Sequence, residues 1–322
     1  MKQKTNKILS IILPLTLGVF LVYYAYNQFK PEEIELIKSH FIHADYSFIA
    51  LSSFFSFISL ASRGYRWKYS LEHMGYKTQF HNNIMAVCIG YLMNLTIPRS
   101  GEVSRALVLK KYNDIPFDKS FGSIIAERVV DLVLLLLFVS IACLLQFEHL
   151  KTFLMETIPF EKLLLLGGVG ILGLLVFVYF FFYSKNTLVL KIKNKISGLV
   201  EGVSSIFQMK NRKQFLFFTA SIWISYVLTF YFGMKTIEET SHLPFGIMMC
   251  AFVVGSLAVT FTNGGFGAFP FMIAQVLLLF GIAQTAGTAA GWILWSSQTG
   301  MVVVFGGLSF LLLPLFNKTK NY

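Results

Sequence analysis

"IMAVCIGYLMNLTIPRSGEVSRALVLKK" (residues 84–111) decides how this chain is read. An apolar run ends at Pro98, and the next thirteen residues carry Arg99, Glu102, Arg105, Lys110 and Lys111. Two readings compete. The charges belong to a solvated loop with surface ion pairs, or they are polar side chains set into a membrane. What surrounds them decides.

The surroundings are apolar. Of 322 residues, 55% are hydrophobic and 13% charged, against roughly a quarter charged in a soluble domain. Runs near the ~20 residues that a membrane span needs cover 8–29, 46–62, 121–147, 162–183, 213–233 and 286–316. A transmembrane β-barrel would show short alternating segments instead. The expected fold class is an all-α polytopic membrane protein, with 1–322 as one integral membrane domain. The first apolar run is too long for a signal-peptide core and lacks a small-residue cleavage site, so it reads as a retained helix.

A net charge of +11 fits Lys- and Arg-rich cytoplasmic loops. No soluble basic domain is evident to hold nucleic acid, which is excluded as a partner. Cys88, Cys143 and Cys250 sit in apolar stretches without metal or disulfide spacing. The histidines lie in loops or at span ends, and neither a HExxH nor a GxSxG pattern occurs. No cofactor and no metal are expected. A GxxxxGK[ST] loop is also missing, so any transport would draw on a gradient or on the substrate's own imbalance.

Charge sets orientation. Lys2, Lys4 and Lys7 precede the first span, the connection 30–45 is acidic, and "SRGYRWKYSLEHMGYK" (62–77) is basic. The stretch 184–213 is basic, 235–244 is acidic, and the tail after 316 is basic. Both termini and the 184–212 linker are therefore expected in the cytoplasm. That linker carries an apolar stripe (Leu188, Ile192, Ile196, Leu199, Val203, Ile206). It reads as an amphipathic helix on the inner interface, or equally as a solvated helix on cytoplasmic loops. It separates an N-terminal half, 1–183, from a C-terminal half, 213–322.

Parity then forces two hairpins. If 81–97 crossed fully, Lys110, Lys111 and Lys119 would lie outside and every later loop would carry the wrong sign. The simplest repair is a re-entrant hairpin over 81–118 that turns near Pro98–Gly101 and returns, with Ser100 as N-cap of the return helix. A second hairpin, 244–282, enters from the opposite face and turns at "TNGGFGAFP" (262–270). About six full spans plus two opposed re-entrant hairpins suggest an inverted repeat of the kind seen in transporters.

"SIIAERVVDLVLLLLF" (123–138) adds Glu127, Arg128 and Asp131 at the head of an apolar helix. Glu127 and Asp131 are four apart on one face and repel. Ionisable groups at membrane depth cost roughly 2.5–3.5 kcal/mol each on insertion scales, so they face inward and pair. Arg99, Glu102, Arg105, Glu127, Arg128 and Asp131 are expected to form one buried or cavity-lining network. It either locks helices together or handles a ligand. At the second turn, Gly264, Gly265 and Gly267 allow close approach of backbone to a ligand or to another helix. A helix starting there presents a positive end to an anion, whereas the plainer role is tight small-residue packing.

Pro98-Arg99-x-Gly101-Glu102-x-x-Arg105, then Glu127-Arg128-x-x-Asp131, then Gly264-Gly265-x-Gly267 resemble the lysylphosphatidylglycerol synthase transmembrane domain, a flippase-like family. The resemblance spans nearly the whole chain. It implies a multi-pass protein of the bacterial cytoplasmic (inner) membrane. In the best-understood members this domain moves an aminoacylated phospholipid across the bilayer, and a separate soluble domain performs aminoacyl transfer from tRNA. Here the sequence stops at Tyr322, so that domain is not expected. Asn263 and Pro270 stand where the family often has Pro and Glu, which questions a carboxylate role at this turn.

The expected function is transport of a phospholipid or another anionic lipid headgroup. Arg99, Arg105 and Arg128 would bind phosphate, while Glu102, Glu127 and Asp131 would hold those arginines. The expected substrate is a membrane phospholipid or a polyprenyl or glycolipid, and the expected partner a second copy or a separate synthetase. The alternatives are a membrane enzyme using these carboxylates as acid and base, and a non-catalytic membrane partner.

Overall fold

The computed structural model describes residues 16, 18–97, 99–148, 151, 172, 179 and 208–317. The chain divides into two compact units, one of residues 1–127 with 210–322 and one of 128–209. Among the described residues there is no strand. The expected span 162–183 apart from residues 172 and 179, nearly all of the 184–212 linker, and Pro98 lie outside the described residues.

Among the described residues, four helices of eighteen or more residues are long and apolar enough to cross a bilayer. They are α2 (Tyr46–His73), α5 (Phe117–Leu145), α6 (Arg212–Met234) and α10 (Gln284–Phe316). Ahead of α2 come a helical stretch over 18–27 and α1 (Pro31–His43). Between α2 and α5 lie α3 (Phe80–Thr96) and α4 (Ser100–Asn113). Between α6 and α10 lie the short α7 (Glu238–Ser241), then α8 (Phe245–Phe261) and α9 (Ala268–Leu279).

Apart from the one-turn α7, one pattern thus occurs twice: a long helix, two short helices joined by a tight turn, a long helix. The short helices have 17, 14, 17 and 12 residues. At 1.5 Å per residue the longest spans about 26 Å, less than the ~30 Å hydrocarbon core. α3 packs on α4 and α8 on α9, while α10 touches both α3 and α9.

One boundary differs from the sequence reading. The basic stretch 62–77 is not a loop, because α2 continues to His73 and buries Arg63, Arg66 and Trp67. It ends where the N–H groups of Gly75 and Tyr76 turn back to the carbonyls of Glu72 and Leu71, at 3.0 Å each. The reason for the extension lies in packing. α2 lies along α6 through a seam of small polar residues. Ser52 donates to the Thr229 carbonyl at 2.8 Å, and the Ser62 and Ser221 hydroxyls are 2.9 Å apart. Side-chain bonds of this kind hold helices together where lipid offers no hydrophobic drive.

Each turn between short helices has its own chemistry. At the first, Arg99 adopts a left-handed backbone (φ 61°). Ser100 is the first helical residue rather than the N-cap. Its hydroxyl turns back to the carbonyls of Met93 and Ile97, at 2.8 and 2.7 Å. The N-terminal N–H of Gly101 is instead capped by Asn94 Oδ1 at 2.7 Å. α3 and α4 touch backbone to backbone here, since a Cβ on Gly101 would run into the Gly90 carbonyl. At the second turn Gly264, Gly265 and Gly267 all have positive φ (63°, 76°, 69°), which residues with a Cβ rarely adopt. Pro270 falls in the first turn of α9, where its missing N–H leaves no helical bond unmade.

Candidate functional site

Polar residues in an apolar helix bundle must find each other. Arg66 comes from α2, Arg105 from α4 and Glu127 from α5. Arg105 Nη2 lies 3.3 Å from Glu127 Oε2, and Arg66 Nη2 lies 3.7 Å from the same oxygen. All three side chains are at most 4% exposed. Two guanidinium groups therefore converge on one carboxylate oxygen. Breaking such a buried set by removing one partner costs about 3–5 kcal/mol.

Trp67 fixes Arg105 from beneath. The guanidinium carbon stands 4.2 Å from the ring centre, a stacking geometry that Arg favours. The indole N–H donates to Ser123 Oγ at 2.9 Å, and Ser123 donates to the Ser120 carbonyl at 2.7 Å. Trp67 is thereby bolted to α5, the helix that carries Glu127. The Arg105 stem passes over Gly90, where a Cβ would sit 2.8 Å from Arg105 Cγ. The close approach of α3 and α4 and the path of Arg105 share one cause, the small residues at positions 90 and 101.

One turn back along α2, Arg63 Nε and Nη2 donate to the Tyr226 hydroxyl at 2.9 and 2.7 Å. The Tyr91 hydroxyl is 3.1 Å from that of Tyr226. Arg63 also lies over the Tyr91 and Tyr226 rings, at 5.9 and 5.5 Å. Helices α2, α3 and α6 thus share a second buried guanidinium.

Of the sequence-predicted residues, Arg105 and Glu127 come together. Arg99 is exposed at the turn, and Glu102 is half-buried in the first turn of α4. In the other unit, Arg128 Nη1 lies 3.8 Å from Asp131 Oδ2, a pairing at spacing three. The glycine turn meets protein at every position. Gly264 faces Leu95, Gly265 faces Val259 and Phe269, and Gly267 abuts the Gly18 carbonyl. Trp295 Nε1 donates to the Gly264 carbonyl at 2.8 Å, and both Trp292 and Trp295 pack against Phe266.

Arg63, Arg66 and Trp67 were missed as site residues because they read as part of a basic loop. A signal was available. Ser52, Ser59, Arg63, Arg66 and Ser70 recur at spacings of seven, four, three and four, a polar stripe on one helix face. No group of three or more His, Cys, Asp or Glu residues able to hold a metal occurs among the described residues.

Comparison with known proteins agrees with this architecture. Over 138 residues the chain is 26% identical to the UPF0104 membrane protein MJ1595 of Methanocaldococcus jannaschii, covering 42% of this chain and 39% of that protein. It is 23% identical over 237 residues to a second protein of that organism, UPF0104 membrane protein MJ1078, covering 72% and 98%. A stretch of 91 residues is 33% identical to Glycosyltransferase AglD of Haloferax volcanii, covering 28% of this chain and 15% of that one. No solved structure matches. The family model for the lysylphosphatidylglycerol synthase TM region matches residues 11–307. The polar motifs, the repeated helix pattern and this match converge: the chain belongs to the lysylphosphatidylglycerol synthase transmembrane-region family.

Proposed function

We propose that this membrane protein moves a lipid with an anionic, phosphate-bearing headgroup between the leaflets of the cytoplasmic membrane. The observation that carries the reading is the convergence of Arg66 and Arg105 on Glu127 at the hairpin α3–α4. The second hairpin supports it by contrast. α8, α9 and α10 pack through Gly255, Ala274, Gly287 and Gly291, and residues 245–316 contain no Asp, Glu, Lys or Arg. The repeated helix pattern therefore holds together without buried ions. A charged set confined to one half suits ligand handling better than mere locking.

The short hairpin helices are read as re-entrant, entering from opposite faces with both chain termini in the cytoplasm. Irregular backbone at membrane depth is tolerated where it is buried in protein or lines a cavity, and the two turns here contact each other. Arg66 and Arg105 supply planar donors suited to phosphate, and Glu127 preorganises them. Arg99, exposed at the turn, would meet the headgroup first. The partial likeness to a protein named as a glycosyltransferase favours a phosphate-linked glycolipid as a second cargo of the same chemistry.

The test is leaflet-resolved movement of a fluorescent anionic lipid in reconstituted vesicles. Wild-type protein moves it with the lipid chemically unchanged, and Arg105→Ala reduces movement at least tenfold at equal folded yield, about 1.4 kcal/mol or more. A new lipid product would instead make the protein an enzyme. Full activity in the Arg105→Ala variant would remove the binding role.

A further inference from the structure

Glu127 uses its two oxygens unequally. Oε2 receives both guanidinium groups. Oε1 is fully buried with no hydrogen-bond partner among the described residues, although an ionised carboxylate accepts at both oxygens. The side chain is 2% exposed. Arg66 from α2 and Arg105 from α4 face it.

We propose that Glu127 is an exchangeable stand-in for the cargo: a phosphate-diester anion displaces its carboxylate from Arg66 and Arg105, and Glu127 takes up one proton from the aqueous phase as it is displaced. This rests on the transport reading above and names its coupling. Before exchange the three side chains carry two positive charges and one negative. Afterwards Glu127 is a neutral acid, its proton on Oε1, and the phosphate supplies the negative charge. The buried charge is unchanged. Anion and proton enter together, so the step is electroneutral and responds to a pH gradient but not to membrane potential. Both states give the arginines, which cannot themselves give up charge, an anion to pair with. Trp67 keeps Arg105 in place through the exchange, because its stacking contact involves neither anion.

The experiment is calorimetric titration of purified full-length protein with dioctanoyl phosphatidylglycerol, in two buffers of different ionisation enthalpy at neutral pH. Dioctanoyl phosphatidylcholine serves as the zwitterionic control. The expected result is selective binding of the anionic lipid with about one proton taken up per lipid bound. In Glu127→Gln, uptake disappears and binding tightens on the order of tenfold, because no carboxylate competes. Anionic lipid bound without proton uptake overturns the exchange and leaves the transport reading intact. Uptake that persists in Glu127→Gln also overturns it, as does weaker binding in that variant. Binding no better than to the zwitterionic lipid overturns both readings. Proton-linked binding with no leaflet movement in vesicles overturns transport alone. Where Glu127→Gln yields no folded protein, the wild-type titration decides, and absence of uptake sinks the exchange.

Discussion

Asn263 Nδ2 donates to the Leu95 carbonyl at 3.1 Å and so ties the tip of one hairpin to the tip of the other. Leu95 lies in the last turn of α3, where a helix leaves its carbonyls without internal partners. Asn263 is 6% exposed, so the bond is made away from water, and Gly264 seats against the Leu95 side chain beside it. Asn263→Leu removes the donor and strands that carbonyl. The expected loss is about 1–3 kcal/mol of stability, read as a lower midpoint in thermal unfolding followed by helical circular dichroism in detergent. An unchanged midpoint would show that the tips do not depend on this bond.

The triple variant Arg66→Met, Arg105→Met, Glu127→Leu separates locking from ligand handling. Replacing a whole buried charged set by apolar residues of similar volume is often neutral or stabilising by about 1–4 kcal/mol, whereas removing one member costs about 3–5 kcal/mol. The expected outcome is a midpoint at or above wild type with lipid movement lost. Retained lipid movement in a stable triple variant would reduce the cluster to a helix lock.

Gly101→Ala forces a Cβ into the Gly90 carbonyl. Both sides of that contact are backbone, so no rotamer change relieves it. Overpacking of this kind costs about 1–3 kcal/mol. Because the shift moves α4, it also moves Arg105 off Trp67. A change in Trp67 fluorescence, isolated by comparison with Trp67→Phe, is the expected companion. A wild-type melting midpoint in Gly101→Ala would contradict the close approach.

Asp45 caps α2 from outside the span. Its carboxylate accepts from the Ser47 hydroxyl at 2.5 Å and the Ser47 N–H at 2.9 Å. Those two bonds, the hydroxyl first, hold its pKa below the ordinary 3.8. The sign follows from linkage. Folding favours the ionised form, so the contribution is fully present above the ordinary carboxylate value. It is lost as pH falls through the lower folded value. Asp45→Ala is expected to flatten that acid limb of the stability profile while leaving the neutral-pH helix content unchanged. Matching acid limbs in the two proteins would contradict it.

Much of the fold was legible because hydropathy and charge act locally. The spans expected at 121–147, 213–233 and 286–316 correspond to α5, α6 and α10, and both helix breaks fall where Pro, Arg and Gly interrupt the apolar runs. That a carboxylate of α5 needs an arginine followed from a general rule, that a charge in an apolar bundle needs a counter-charge; that Arg105 supplies it to Glu127 is a finding of the structure. The third member did not follow. Arg66 sits in a segment whose basic composition imitates a cytoplasmic loop, and Trp67 and Ser123 matter only through contacts 56 residues apart.

Sequence by itself determined that this is an all-helical membrane protein with two interrupted hairpins and a charged set that must be paired, because desolvation penalties depend only on residue type and on the length of the apolar run. Only the tertiary structure decided which charges meet. Pairing depends on which helix faces touch, and those faces are set by small residues such as Gly90 and Gly101 and by the seam that carries α2 on to His73. Two arginines share one carboxylate because three helices approach closely enough to bring them there, a distance that no local pattern encodes.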